Sequence, residues 1–63
     1  MISRAVETEG ETAALKVLGI REYVQQGSMS ADEGRGRIEA ATDGLSPEVR
    51  AVADRIVGER GSR

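Results

Sequence analysis

Three times in 63 residues this chain writes a helix start with a glycine stop downstream, and that punctuation constrains its fold more than any other feature. Thr8-Glu9-Gly10-Glu11 and Ser30-Ala31-Asp32-Glu33 read as capping boxes. In each, the hydroxyl accepts from the N–H three residues on, and the Glu there reaches back to the cap's own N–H. Ser46-Pro47-Glu48 is a third start. It offers a Ser cap, a Pro where a missing N–H does no harm, and an acid at the positive end of the helix dipole. Gly27, Gly44 and Gly58 or Gly61 stand where the helices should stop, because glycine enters the left-handed C′ conformation without strain.

The expectation is an all-α fold: a small three-helix bundle, or a helical hairpin plus a third helix. Residues 1–7 form an N-terminal arm or helix extension, with Ile2 and Val6 as an i,i+4 apolar pair. Residues 8–58 form a single three-helix domain, and 59–63 a disordered tail of Gly, Ser and charge.

The apolar spacing supports this. Ala13, Val17, Ile20 and Val24 recur at 4, 3, 4, as do Leu45, Val49, Val52 and Ile56, which is the amphipathic helical period. Val17, Ile20, Val52 and Ile56 are expected to share one core. Leu45, before the Ser46 cap, is placed to staple near Val49 and Arg50. The middle segment is weaker. Its stripe of Ala31, Gly34, Ile38 and Ala41 is nearly all small, and Gly34 and Gly36 leave it little propensity, so tertiary packing must hold it. Gly10 and Gly19 weaken the first helix in the same way, unless Gly19 admits a close neighbour. Shifting the chain by 34 residues lays Thr8-Glu9-Gly10 on Thr42-Asp43-Gly44, Leu15 on Val49 and Arg21 on Arg55, a faint repeat at a period seen in helical arrays.

Composition excludes more than it proposes. With no Phe, no Trp and one tyrosine, Tyr23, the core is thin. A chain of this size also buries only about 60% of its unfolded surface, so a marginal monomer, or one stabilised by association, is expected. There is neither cysteine nor histidine, so thiolate and imidazole chemistry and the usual transition-metal ligands are absent. No cofactor is implied. No apolar run reaches the length of a membrane span, and no signal peptide opens the sequence; the expectation is a cytoplasmic protein with no membrane partner.

The clusters that invite a chemical reading have simpler ones. Glu7, Glu9 and Glu11 suggest a partner-binding acidic arm, but acids before a helix also complement its dipole. Ser28 and Ser30 lack a base in sequence, and capping accounts for them better. Gly34-Arg35-Gly36 lacks the strand and the Lys-Ser/Thr end of a phosphate loop. Arg35, Arg37, Arg50 and Arg55 could serve a helix–turn–helix DNA reader. However, acids interleave with them and the net charge is −2, so i,i+4 pairs such as Glu33–Arg37 and Arg50–Asp54 are the better account.

The stretch from Tyr23 to Glu33, Tyr-Val-Gln-Gln-Gly-Ser-Met-Ser-Ala-Asp-Glu, resembles the helix–Gly turn–Ser-x-x-Glu–helix hairpin of two kinds of small bacterial module. One is the short C-terminal oligomerisation domain, which carries an aromatic where this chain has Gly34. The other is the antitoxin family that inhibits Fic-domain toxins, with a Ser/Thr-x-x-x-Glu-Gly/Asn motif on an inhibitory helix. Ser3 and Glu7 supply its serine and glutamate here, with Thr8 in place of the final Gly. This resemblance implies an inhibitor encoded by a bacterium, phage or mobile element.

The sequence thus points first to a non-enzymatic protein-interaction module: a regulator, inhibitor or adaptor. Ala14, Leu18 and Tyr23, at the edge of the first apolar face, and Glu7 and Glu9 are its candidate partner residues. Thr8, Ser30, Glu33 and Ser46 are its caps. The alternatives are a self-associating structural component and a small helix–turn–helix DNA-binding protein.

Overall fold

Ser3, not Thr8, opens the first helix. A computed structural model describes residues 3–61 of the chain, and Ile2 lies outside them. Helix α1 runs Arg4–Gln25, α2 Ala31–Thr42 and α3 Pro47–Gly61. The Ser3 hydroxyl accepts from the Val6 N–H at 3.2 Å, so Thr8 is a second-turn residue whose carbonyl accepts from the Thr12 hydroxyl at 3.0 Å. The Thr8 capping box does not form, because five residues upstream a serine already holds the extended backbone a cap requires. Residues 4–7 are therefore helix, and Val6 is half-buried.

The other starts use the serines. Ser30 Oγ accepts from Glu33 N–H at 3.1 Å, and Ser46 Oγ from Val49 N–H at 3.3 Å. The Ser30 box is only half closed. Instead of returning to the cap, the Glu33 carboxylate takes Nε and Nη2 of Arg37, both at 3.2 Å. An exposed pair of this kind contributes about 0.3–0.5 kcal/mol. The second expected pair, Arg50–Asp54, does not close to within 4 Å; its order, base before acid, opposes the helix dipole.

The two turns differ. After α1, Gly27 at φ +80° lets Gly27 N–H reach Val24 O at 3.1 Å and Ser28 N–H reach Tyr23 O at 2.9 Å, the two bonds of a Schellman stop. After α2, Asp43 is extended (φ −67°, ψ 137°) and Gly44 has φ +78°, with Leu45 N–H on Thr42 O at 3.4 Å. That is a type II turn, whose third position requires positive φ. The 34-residue repeat fails here: Gly44 makes this turn, while its counterpart Gly10 is helical and buried. The third helix does not stop at Gly58 but continues through Gly61, so the expected tail is helical up to that residue.

Helix α1 is the spine, and α2 and α3 each pack on it while scarcely touching one another. Gly34 of α2 lies against Val24 and Ile20, and Gly10 of α1 lies under Val49 and Val52 of α3. The expected shared core is thereby divided. Val17 and Val52 are buried, and Ile56 and Leu45 pack on an Ala13–Ala14–Ala53 cluster, whereas Ile20 and Val24 serve the α2 side. Leu45, just before the Ser46 cap, packs on that alanine cluster. Gly10 and Gly34, not Gly19, are the close-approach glycines. A Cβ on Gly10 would meet Val52 Cγ1 at 2.5 Å, and one on Gly34 would meet Val24 Cγ2 at 2.5 Å, while nothing lies within 4 Å of Gly19.

The result is an open arrangement, 39 × 27 × 13 Å in extent. Its radius of gyration is 11.9 Å, against about 10.6 Å for a compact domain of this length. No described helix is long and apolar enough to cross a membrane.

Candidate partner-binding face

A 22-residue helix flanked on two sides keeps a third side for solvent, and in α1 that side is apolar where it need not be. At about 100° per residue, Leu15, Gly19 and Tyr23 follow one another at i, i+4, i+8, about opposite the buried Ala13 and Val17. Leu15 is 48% exposed and Tyr23 55%. Gly19 between them leaves the helix backbone uncovered. Ile20 and, from α2, Ala40 and Ala41 continue this surface into the shallow groove between the two antiparallel helices, with Lys16 and Arg37 on its rim. A helix ridge fits such a groove when its floor is small and its walls are large. Here Gly19, Ala40 and Ala41 are the floor, and Leu15 and Tyr23 the walls.

Burial sorts the candidate residues. Tyr23 belongs to the exposed face. Leu18 is half-buried and sits on the other groove of α1, towards the C-terminal end of α3, beside Arg21 and Arg60. Ala14 is not at an edge at all. It is wholly buried, at 0% exposure, against Ala13 and Ala53, because α3 crosses α1 over its smallest side chains.

The acidic arm also dissolves. With the helix starting at Arg4, Glu7, Glu9 and Glu11 step around α1 by about 200° each time, so Glu9 faces away from the other two. Glu7 approaches Arg55 of α3 at 3.9 Å, and Arg55 also reaches Glu59 at 3.9 Å. Only Glu7 stands in the first turn, where a carboxylate complements the helix dipole.

Leu15 and Gly19 were the residues sequence reasoning missed. The 4,4 spacing of Leu15, Gly19 and Tyr23 was legible, but a leucine and a glycine in a helix read first as core and as weakness. Among the described residues no three acidic side chains gather as metal ligands would. No protein-family model, curated protein or solved structure matches this chain.

Proposed function

We propose that this chain is a non-enzymatic protein-interaction module whose α1–α2 face receives a helix of a partner protein. The observation that carries the reading is an excess of surface together with where its large apolar side chains lie. The chain exposes 4745 Å2, while a compact monomer of 6.7 kDa exposes about 3,900 Å2. The difference, about 800 Å2, is spread over the whole surface of the three-helix array. Among the described residues the two large hydrophobic side chains that lie most open, Leu15 and Tyr23, flank one groove. Tyrosine suits such a place, having a rigid ring and a polar tip. An apolar groove between two helices is the ordinary receptor for an amphipathic helix.

The serine hydroxyls at Ser3, Ser30 and Ser46 support a binding rather than a catalytic role, since each is taken up by a helix end. The inhibitor reading implied by Ser3 and Glu7 is a narrower form of the same proposal, in which Glu7 carries the inhibition. In the form favoured here the partner reads Leu15 and Tyr23, and Glu7→Gln leaves binding intact.

The test is site-specific photocrosslinking in the native host, with the crosslinking residue at Leu15 and, as control, at exposed Glu48 on α3. A protein captured at position 15, absent at position 48 and lost on Tyr23→Asp, supports the reading. Capture of a second copy at position 15 moves it to the self-associating component. Capture at position 48 but not at 15 refutes the α1–α2 face.

A further inference from the structure

The three helices are not held equally. Among the described residues every buried side chain of the core lies on α1 or α3: Ala13, Ala14 and Val17 on one, Val49, Val52 and Ala53 on the other. Helix α2 contributes one buried residue, Gly34, which has no side chain to bury. Its Ile38, Ala41 and Thr42 are half-buried, and the rest of it is exposed. In return α2 covers Ile20 and Val24 of α1, which stay half-buried against Gly34. Because α2 scarcely touches α3, the packing of α3 on α1 does not depend on it.

Alone, α2 has little to keep it helical. Twelve residues are marginal for an isolated helix in water, and Gly34 and Gly36 each lose more backbone entropy on folding than any other residue would. What α2 has of its own is local: the Ser30 cap and the exposed Glu33–Arg37 pair. Both ends are nevertheless tied down. The chain leaves α1 through the Gly27 stop, with Ser28 N–H on Tyr23 O at 2.9 Å, and it returns through Leu45, which packs on the Ala13–Ala14–Ala53 cluster. Neither anchor is a contact of α2. A segment with few buried apolar contacts and poor intrinsic propensity opens locally, at less cost than global unfolding.

We propose that α2 is a flap, opening from α1 and melting as a unit while α1 and α3 stay packed, so that the α1–α2 groove forms and dissolves without unfolding of the protein. Opening takes Arg37, Ala40 and Ala41 out of the groove and uncovers Ile20 and Val24. The functional consequence rests on the reading that this groove receives a partner helix. Only the closed fraction then binds, so the apparent Kd rises as α2 opens, and a bound helix in turn holds α2 shut.

The test is native-state hydrogen exchange of the free, full chain, read by NMR at rising urea below the unfolding transition. Ile38 and Glu39 report the middle of α2, and Val52 and Ala53 the α1–α3 core. The first two amides should be protected at least about tenfold less than the second two. Their exchange should respond weakly to urea, because opening α2 exposes little surface, while Val52 and Ala53 follow the full slope of global unfolding. Gly58→Ala supplies a second readout, since it lies on α3 and its new Cβ would meet no neighbouring element within 4 Å. It should slow Val52 and Ala53 about two- to fivefold and leave Ile38 and Glu39 unchanged. Protection of Ile38 and Glu39 close to that of the core with the same urea slope, or equal slowing of all four amides in Gly58→Ala, would overturn the flap. No partner is needed for this measurement. A rigid α2 would leave the α1–α2 receptor standing, and failed capture at position 15 would leave the flap standing.

Discussion

Replacing Gly10 by alanine should destabilise this protein, although helix propensity alone says the reverse. Alanine in a helix interior is favoured over glycine by up to about 1 kcal/mol. At Gly10, however, the added Cβ would stand 2.5 Å from Val52 Cγ1, 2.6 Å from Val52 Cβ and 3.2 Å from the Val49 carbonyl oxygen. Carbon atoms rest at about 3.5–4.0 Å, so α3 must retreat by about 1 Å. Val52 cannot step aside. It is β-branched, with essentially one χ1 rotamer in a helix, and it is 2% exposed with core around it. The retreat would open the Ala13–Ala14–Ala53 contact, where a radial gap of this size forfeits about a quarter to a half of the dispersion energy.

Overpacking of this kind costs about 1–3 kcal/mol, and subtracting the propensity gain leaves a net loss of up to about 2 kcal/mol. For a domain this small, each kcal/mol moves Tm by about 4–8 °C. Gly36 and Gly58 are the internal controls, since a Cβ on either would meet no neighbouring element within 4 Å and neither has positive φ. Alanine at those sites should raise Tm, by about 0.5–1 kcal/mol of added stability. The assay is thermal unfolding by far-UV circular dichroism, repeated in urea to check that the m-value is unchanged. If Gly10→Ala melts as high as Gly36→Ala, the close approach of α3 to α1 is wrong, and with it the division of the core.

The remaining predictions follow the same contacts. Ser3→Ala should cost about 0.5–2 kcal/mol as the loss of a cap, while Thr8→Ala, a helix-interior change, should cost much less; paired melts that reverse this order would return the helix start to Thr8. Ser30→Ala should cost about the same as Ser3→Ala, and an unchanged midpoint would mean that α2 is capped otherwise. Ile56→Ala should cost about 2 kcal/mol, the low end for its type, since Ile56 is only half-buried on the alanine cluster; urea unfolding checks it. Leu15→Ser and Tyr23→Ser should leave monomer stability within about 0.5 kcal/mol, as surface changes do, and a larger loss in melts of dilute protein would show these side chains to be core.

How much of this was legible depends on what each residue answers to. Ser30, Ser46, Gly27 and Gly44 act through the backbone of their own neighbours, and local chemistry of that kind is written in the sequence. The Thr8 start failed because Ser3 offers the same hydroxyl one turn earlier, and a helix extends to the first adequate cap that its apolar pattern reaches. Gly19 and Gly10 cannot be told apart from within α1: one faces solvent and the other Val52, and only the placement of α3 decides which. Ala14 was misplaced for the same reason. The amphipathic stripe gives the side of the helix but not the width of the strip its neighbour covers, and α3 proved to sit over Ala14. The α1–α2 groove is a property of helix placement, so the sequence could only hint at it through spacing.

The open α1–α2 face has its physical origin in the core. A core whose closest contacts are Gly10 on Val52 and Ala13–Ala14 on Ala53 draws α3 against α1 but offers little to bridge across to α2. The small-residue stripe of α2 likewise brings Gly34 close to Val24 and Ile20 and leaves nothing large to reach α3. Had Ala41 or Ala53 been leucine, the two outer helices would have had a reason to converge on a conventional core. Small residues at both contacts instead hold the helices in a thin, open array. In such an array Leu15 and Tyr23 find no interior to enter. An economy of large side chains inside the fold is thus what leaves this apolar surface outside it.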